Sequence, residues 1–412
     1  GHKFCSPEYY KFMEEFENAF GVKVPVFQAK ATSELKNEFG VMVPNFDGDW
    51  NTINIEKTFW DTLLVIRDVI EKNKDLAYFA DSVVESKSRL KSLNRKPREN
   101  HPHLENLYRD ENVNEKITPE ELKLTPGTVT TIRAALGSSL GFLNKITNGA
   151  FFGVAADLLG STSINLVGTG FESGYFDSVD NSHSRILSIG GICEDAMGAM
   201  MAGLGAYGKN IGASSSYGAF ISAMEHTDAR LHGIGEQNKK EAFGGDYNTW
   251  ILVNAHAGLK TGEDGPTHAD PQCLQLLDNN FPKGVMITLT PWEPGEVWPL
   301  IVAGLKKRPA VLAPFVTRPN ETIADRKALN IASVEDSVKG VYALRKADPK
   351  KKLDGNIILQ ESGVTIEFVT KVLPKLDKEG YNLNIFYVSS SELFDMLSDK
   401  EKEAIYPESI AQ

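Results

Sequence analysis

The chain has 412 residues, 41% of them hydrophobic and 24% charged, which suits a soluble globular protein of two or three domains with a large core. No disulfide or structural metal is needed to compensate for small size. Lys plus Arg number 44 against 55 Asp plus Glu, a net charge of −11, so the surface repels polyphosphate backbones; this argues against a general nucleic-acid binder but leaves room for local phosphate pockets.

The three cysteines, Cys5, Cys193 and Cys273, include no CxxC pair, so neither a disulfide framework nor a structural zinc site is expected, and a reducing, cytoplasmic setting is. No apolar run approaches the ~18 residues of a membrane span. The opening GHKFCSPEYY is neither a signal peptide nor an initiator-methionine start, and a trimmed piece of a longer chain is expected. Residues 1–50 are aromatic-rich, with breaks at Gly21, Pro25, Gly40 and Pro44. Ile55, Phe59, Leu63, Ile66 and Ile70 recur at helical spacing and predict a helix over 53–73. AYFADSVVES (77–86) reads as a short buried strand with its exit loop, and 86–125 as a solvated linker with a helix or two.

After Gly127 apolar runs of strand length alternate with helical segments. The strand candidates are 151–158, 185–191, 250–256, 285–290 and 310–315, with helices at 129–146, 194–206, 218–231, 270–279 and 294–306. Continuous apolar strands imply burial on both faces, hence an α/β fold with a mostly parallel sheet flanked by helices. A second, smaller and partial α/β unit begins near 335, with strands at 356–362 and 382–389 around a helix at 363–377.

Ligands of α/β sheets gather at the carboxyl ends of strands. Asp157, Glu194, His256 and Arg318 fall there, and the loop GEDGPTH (262–268) follows His256. Glu194 opens the helix EDAMGAMMAGL after a Gly-Gly approach. A first-turn carboxylate ordinarily only complements the helix dipole. The small residues Ala196, Gly198, Ala199 and Gly203 suggest close packing by something large, where a dry carboxylate can exchange a proton with a ligand nitrogen. In the loop, Gly262 and Gly265 permit unusual backbone angles and Pro266 stiffens the turn, bringing Asp264 and His268 near one another. Arg133 and Arg318 read singly as surface arginines, although a strand-end arginine can grip phosphate bidentately.

The pieces TIRAALGSSL, AADLLGS, GICEDAMGAMMAGL, YGAF, GEDGPTH and VTR, in that order between about 127 and 320, resemble the pyrimidine-binding domain of transketolase, a thiamine-diphosphate enzyme. The resemblance implies three parts: a connector from a diphosphate-binding domain over 1–125, the pyrimidine-binding domain over 126–325, and part of the C-terminal domain over 335–412. It implies transfer of a two-carbon ketol unit between sugar phosphates by way of a thiamine diphosphate adduct, within the pentose phosphate pathway. On the same basis Glu194 would hydrogen-bond the aminopyrimidine and favour the tautomer that generates the nucleophile. Phe220 would pack on that ring, with Asp157 and Leu158 beside the cofactor. His256 and His268 would face the substrate and move protons, and Asp264 would read a sugar hydroxyl. Arg133, Ser161 and Arg318 would hold the terminal phosphate.

The sequence also departs from the family's pattern. Ala223 and His226 stand where further aromatics are usual, Asp195 where a histidine commonly follows the glutamate, and Gly190 where an aromatic often precedes it. The family holds its diphosphate through Mg²⁺, bound by Gly-Asp-Gly and an asparagine roughly thirty residues later. DGDW (47–50) does not match, so no metal ligand is expected here, and the missing diphosphate-binding domain, or a second subunit in a homodimer, would complete the site. The alternatives are a related thiamine enzyme, such as a 1-deoxyxylulose-5-phosphate synthase, which shares GEDGPTH, or a non-catalytic transketolase-like subunit.

Overall fold

A computed structural model describes residues 4–36, 40, 42–270 and 272–411. The chain divides into two compact units, Gly1–Arg98 and Glu99–Gln412.

In the first unit, helix α1 (Pro7–Phe20) starts at a Ser6 side-chain cap with proline in its first turn and stops at Gly21, whose φ of 65° only glycine adopts cheaply. Strands β1 (Ala31–Lys36) and β2 (Met42–Phe46) form an antiparallel pair. Asp47 of the DGDW segment caps α2 (Gly48–Lys72) by accepting from Trp50 N–H, and Asn73 caps α3 (Lys74–Ser92). The helix expected over 53–73 is therefore present. The strand expected at 77–86 is not: the segment lies inside α3, which buries none of its residues. Leu76, Phe79 and Val83 sit at helical spacing among charged helix formers, and the short apolar run concealed that period.

In the second unit, helix α4 (Asn106–Arg109) belongs to a segment expected to be solvated, yet Leu107 and Val113 are buried in the main core. The Asn106 amide donates to Ile146 O, and Trp298 Nε1 donates to the carbonyls of Asn114 and Ile117. This stretch is fastened to the domain rather than free of it. Strand β3 (Val129–Thr131) leads into α5 (Ile132–Ile146), and β4 (Phe151–Ala155) follows. Residues 185–191 make only a single parallel bridge, Gly153 to Ile186, where a strand was expected. The Arg185 guanidinium bonds the Gly149 and Ser184 carbonyls there, and Gly190 has φ 80°.

Helix α6 (Glu194–Ala206) precedes β5 (Ile211–Tyr217), a strand that the sequence reading missed. Instead of a helix over 218–231, a 3₁₀ turn (Gly218–Phe220) and a π-helical turn (Met224–Asp228) lead into α7 (Ala229–Phe243). Then come β6 (Trp250–Ala255), α8 (Cys273–Leu277), β7 (Met286–Leu289), α9 (Val297–Lys306), β8 (Val311–Val316) and β9 (Asn320–Thr322). Helix α8 is shorter than the expected 270–279, of which Pro271 lies outside the described residues. The five-stranded sheet has the order β4-β5-β6-β8-β7, and each neighbouring pair runs parallel. Helix α5 and α9 pack Leu136, Leu140, Leu143, Leu300 and Ile301 on one face, while Met197 and Met201 of α6 belong to a second cluster with Trp250 and Leu252.

The last part adds a third strand to the two expected. Strand β10 (Val341–Arg345) pairs antiparallel with the central strand of its sheet, and β11 (Gly355–Leu359) pairs parallel with it. Helix α10 (Ser362–Glu367) continues through a π turn into α11 (Leu373–Glu379), before the central strand β12 (Leu383–Val388). A buried ion cluster joins this layer to the large sheet. Arg326 lies 2.5 Å from Glu293 and 2.8 Å from Glu296, beneath the Trp292 ring, and the Tyr342 hydroxyl donates to Glu296. No helix among the described residues is long and apolar enough to cross a membrane.

Candidate active site at the strand ends

The parallel sheet brings the carboxyl ends of β4, β5, β6 and β8 to one edge. Two residues just past these strands, Asp157 (φ 62°) and His256 (φ 51°), take the left-handed backbone that non-glycine residues rarely adopt. Such positions cost on the order of 1–3 kcal/mol each and cluster at functional sites.

Glu194 begins α6 with its carboxylate at the helix N-terminus, and Oε1 accepts from Ser216 Oγ at 2.9 Å. Among the described residues no hydrogen bond reaches Oε2. Ser216 lies near the end of β5, and the 3₁₀ turn after that strand presents Phe220 with its side chain 46% exposed. Phe220 meets His268 edge-on at 5.2 Å between ring centres, and His268 Nδ1 lies 2.9 Å from Thr267 Oγ1. Asp157 is exposed and, with Tyr175, Ser188 and Gly190, lines a cleft of about 580 Å³. Leu158 packs on the main core instead.

The end of β6 is organised differently. His256 is fully buried, its ring stacked 3.7 Å from Tyr217. Its Nε2 lies 2.7 Å from an Arg133 guanidinium nitrogen, which also donates to Ser161 O. Nε2 also lies 2.9 Å from Ser161 O, which only accepts, while the guanidinium only donates, so the proton's place on the ring decides which of the two neighbours Nε2 bonds. Nδ1 faces Asp264 Oδ2 at 2.5 Å, off the line of a hydrogen bond. Burial holds the His256 imidazole below its ordinary pKa; burial and then Arg318 do the same to Arg133. Arg318 is held by Asp264 and, at 2.7 Å, by Glu263. Both loop glycines have positive φ, 64° at Gly262 and 68° at Gly265, as the sequence required.

The structure thus gathers Arg133, Ser161, His256, Asp264 and Arg318 into one contact network, and links His268 to Phe220 through their rings. His256 was expected to face a substrate; here it faces Arg133 and Asp264 beneath Tyr217. Sequence reasoning overlooked Ser216 and Tyr217 because it overlooked β5. It also overlooked two carboxylates on the π turn. Glu225 is 1% exposed with neither oxygen hydrogen-bonded, and burial, then Asp270, pushes its pKa up to about 8. Burial, then Asp195, raises Asp228 to about 6. Among the described residues, no three His, Cys, Asp or Glu side chains are placed to hold a metal.

Comparisons with known proteins converge. Residues 130–319 match the family model for "Transketolase, pyrimidine binding domain". The chain is 25% identical over 302 residues to Transketolase 1 of Pasteurella multocida (strain Pm70), covering 71% of this chain and 40% of that protein. It is 26% identical over 268 residues to Transketolase 1 of Candida albicans, covering 63% and 35%. The chain therefore spans about two fifths of the length of the curated relatives it matches. Among solved structures it is similar in fold to transketolase from Leishmania mexicana, with TM-score 0.59, 20% identity and coverage of 88% of this chain and 46% of the other. A transketolase from Pichia stipitis in complex with sedoheptulose-7-phosphate gives TM-score 0.58 at 20% identity, with coverage of 88% and 47%.

Proposed function

We propose that this chain, whose residues 130–319 match the pyrimidine-binding domain of transketolase, supplies the pyrimidine half of a thiamine diphosphate site in an enzyme that moves two-carbon ketol units between sugar phosphates. The observation that carries the reading is Glu194: a half-buried carboxylate at a helix start, steadied on one oxygen by Ser216 and uncommitted on the other. The exposed face of Phe220 suits an aromatic heterocycle, so the residues present fit the cofactor's pyrimidine ring. Thiamine diphosphate, when bound, supplies the carbon nucleophile on which ketol transfer depends.

The chain's own groups then divide the work. Glu194 holds the pyrimidine through its free oxygen and exchanges a proton with the ring nitrogen, and the Ser216 hydroxyl fixes the carboxylate's orientation. Asp157 and Leu158 flank the cofactor. His268, half-exposed beside Phe220, contacts substrate hydroxyls and moves their protons. Asp264 reads a sugar hydroxyl, while Arg133, Ser161 and Arg318 receive the terminal phosphate. His256 positions the Arg133 guanidinium from below. Mg²⁺ has no ligand set among the described residues, and no step here passes through it. A second subunit or a diphosphate-binding domain completes the site.

Profiling ketose-phosphate donors against aldose-phosphate acceptors, with thiamine diphosphate, Mg²⁺ and the complete enzyme, tests this. Ketol transfer that is lost in Glu194→Ala while the fold persists supports it. Undiminished transfer in that variant overturns it.

A further inference from the structure

The network at the end of β6 is shut. Arg133 donates to Ser161 O and meets His256 Nε2; Arg318 is held by Asp264 and Glu263. Two guanidinium groups face two carboxylates around a neutral imidazole, so the cluster carries no net positive charge to attract a phosphate dianion. Over it lies Tyr217, the last residue of β5. Its side chain is 8% exposed and stacks on His256 at 3.7 Å and 22°, with Phe220 at 5.9 Å and His268 at 5.8 Å completing an aromatic layer.

We propose that Tyr217 is a specificity-determining residue that closes the anion pocket of Arg133, His256 and Arg318, weakening its grip on a terminal phosphate while leaving the hydroxyl-reading side at His268 open. The proposal rests on the phosphate role given above to Arg133 and Arg318. An anion that is to bond Arg133 and His256 together must displace the ring from His256 and exchange the arginine's internal contacts for the ligand. Affinity for phosphate is therefore reduced by the fraction of molecules in which the ring is displaced. Unphosphorylated carbonyl substrates whose hydroxyls bond His268 avoid the cost of opening the arginine contacts, and the site favours them relative to an open pocket.

The test is calorimetric titration of inorganic phosphate into the full chain and its variants, with thermal unfolding as the folding control. Tyr217→Ala removes the ring. Tyr217→Leu retains apolar packing if the alanine variant fails to fold, and Tyr217→Phe keeps the ring and should match the native chain. Phosphate affinity is expected to rise roughly tenfold in Tyr217→Ala or Tyr217→Leu, as for a competent state populated at about a tenth, and to vanish when Arg133→Leu is added. Native phosphate binding that the small residues do not tighten overturns the role of Tyr217 while sparing that of the arginines. An absence of binding in the native chain and every variant overturns the arginines' phosphate role and the proposal with it. Equal tightening in Tyr217→Phe also overturns the proposal, because the ring would not then be the barrier.

Discussion

Where β5 ends, Ser216 gives a hydrogen bond to one oxygen of Glu194, and Phe220 shows nearly half its side chain to solvent. Where the neighbouring β6 ends, His256 is buried among Arg133, Asp264 and Tyr217, and Arg318 is tied to two carboxylates. The two strands are hydrogen-bonded neighbours in one sheet. The difference lies in what each carboxylate has to bond with. Glu194 stands at a helix start with one oxygen free, so an incoming ring nitrogen displaces no protein partner. Asp264 already faces a histidine and an arginine, and a ligand there must replace bonds rather than add them.

Four perturbations break or sharpen that contrast. Glu194→Ala in the cofactor-loaded, complete enzyme should lower turnover by about 10²–10⁴, the usual contribution of a positioned proton-transfer group, with an unchanged circular dichroism spectrum. A similar loss from Asp264→Asn would erase the distinction between the two strand ends.

The next effect is on stability. Glu225, on the π turn that follows Phe220, has its folded pKa raised from 4.5 to about 8, so folding favours its protonated form. Its stabilising contribution is complete below about pH 4.5 and is lost as pH rises through about 8, a swing on the order of a few kcal/mol. Asp228, raised from 3.8 to about 6, adds a smaller loss within the lower part of that window. Denaturant midpoints measured from pH 4.5 to 8.5 should fall in the native chain, and more shallowly in Glu225→Gln. An equally steep fall in that variant would remove Glu225 from the account.

Asp264→Asn comes third. Removing a charged partner of Arg318 costs about 1.5–3 kcal/mol, so KM for a hydroxylated substrate should rise roughly tenfold or more with a smaller change in kcat. Ser216→Ala is the mildest. Loss of one hydrogen bond worth about 0.5–1.5 kcal/mol should slow turnover only several-fold, because Glu194 keeps its helix-terminal place.

The sealed strands were legible because WILV and VLAPFV are continuous apolar runs. Strand β5, IGASSSY, lies in the same sheet but reads as a loop, since two of its three serines find hydrogen bonds only in tertiary partners, Ser214 in Trp250 Nε1 and Ser216 in Glu194. Losing that strand hid Tyr217, and with it the reason His256 is buried. The GEDGPTH loop was legible because positive φ at two positions demands glycine. No comparable signal marks Asp157 or His256, which adopt positive φ without being glycine. In α3 the error ran the other way, toward a strand, because ten residues held too few helical repeats to show their period.

The Arg326 cluster fixes how the second unit comes apart. Its guanidinium is shared between Glu293 and Glu296 at the foot of the large sheet, and Glu296 also accepts from Tyr342 of the smaller one. Pulling the small sheet away takes the Tyr342 hydrogen bond from buried Glu296, a bond to a charged group worth about 1.5–3 kcal/mol, and uncovers the paired ions. Partial release is then poorer than either extreme, and the two sheets should melt in one calorimetric transition, with hydrogen exchange in β10 and β8 governed by the same opening event.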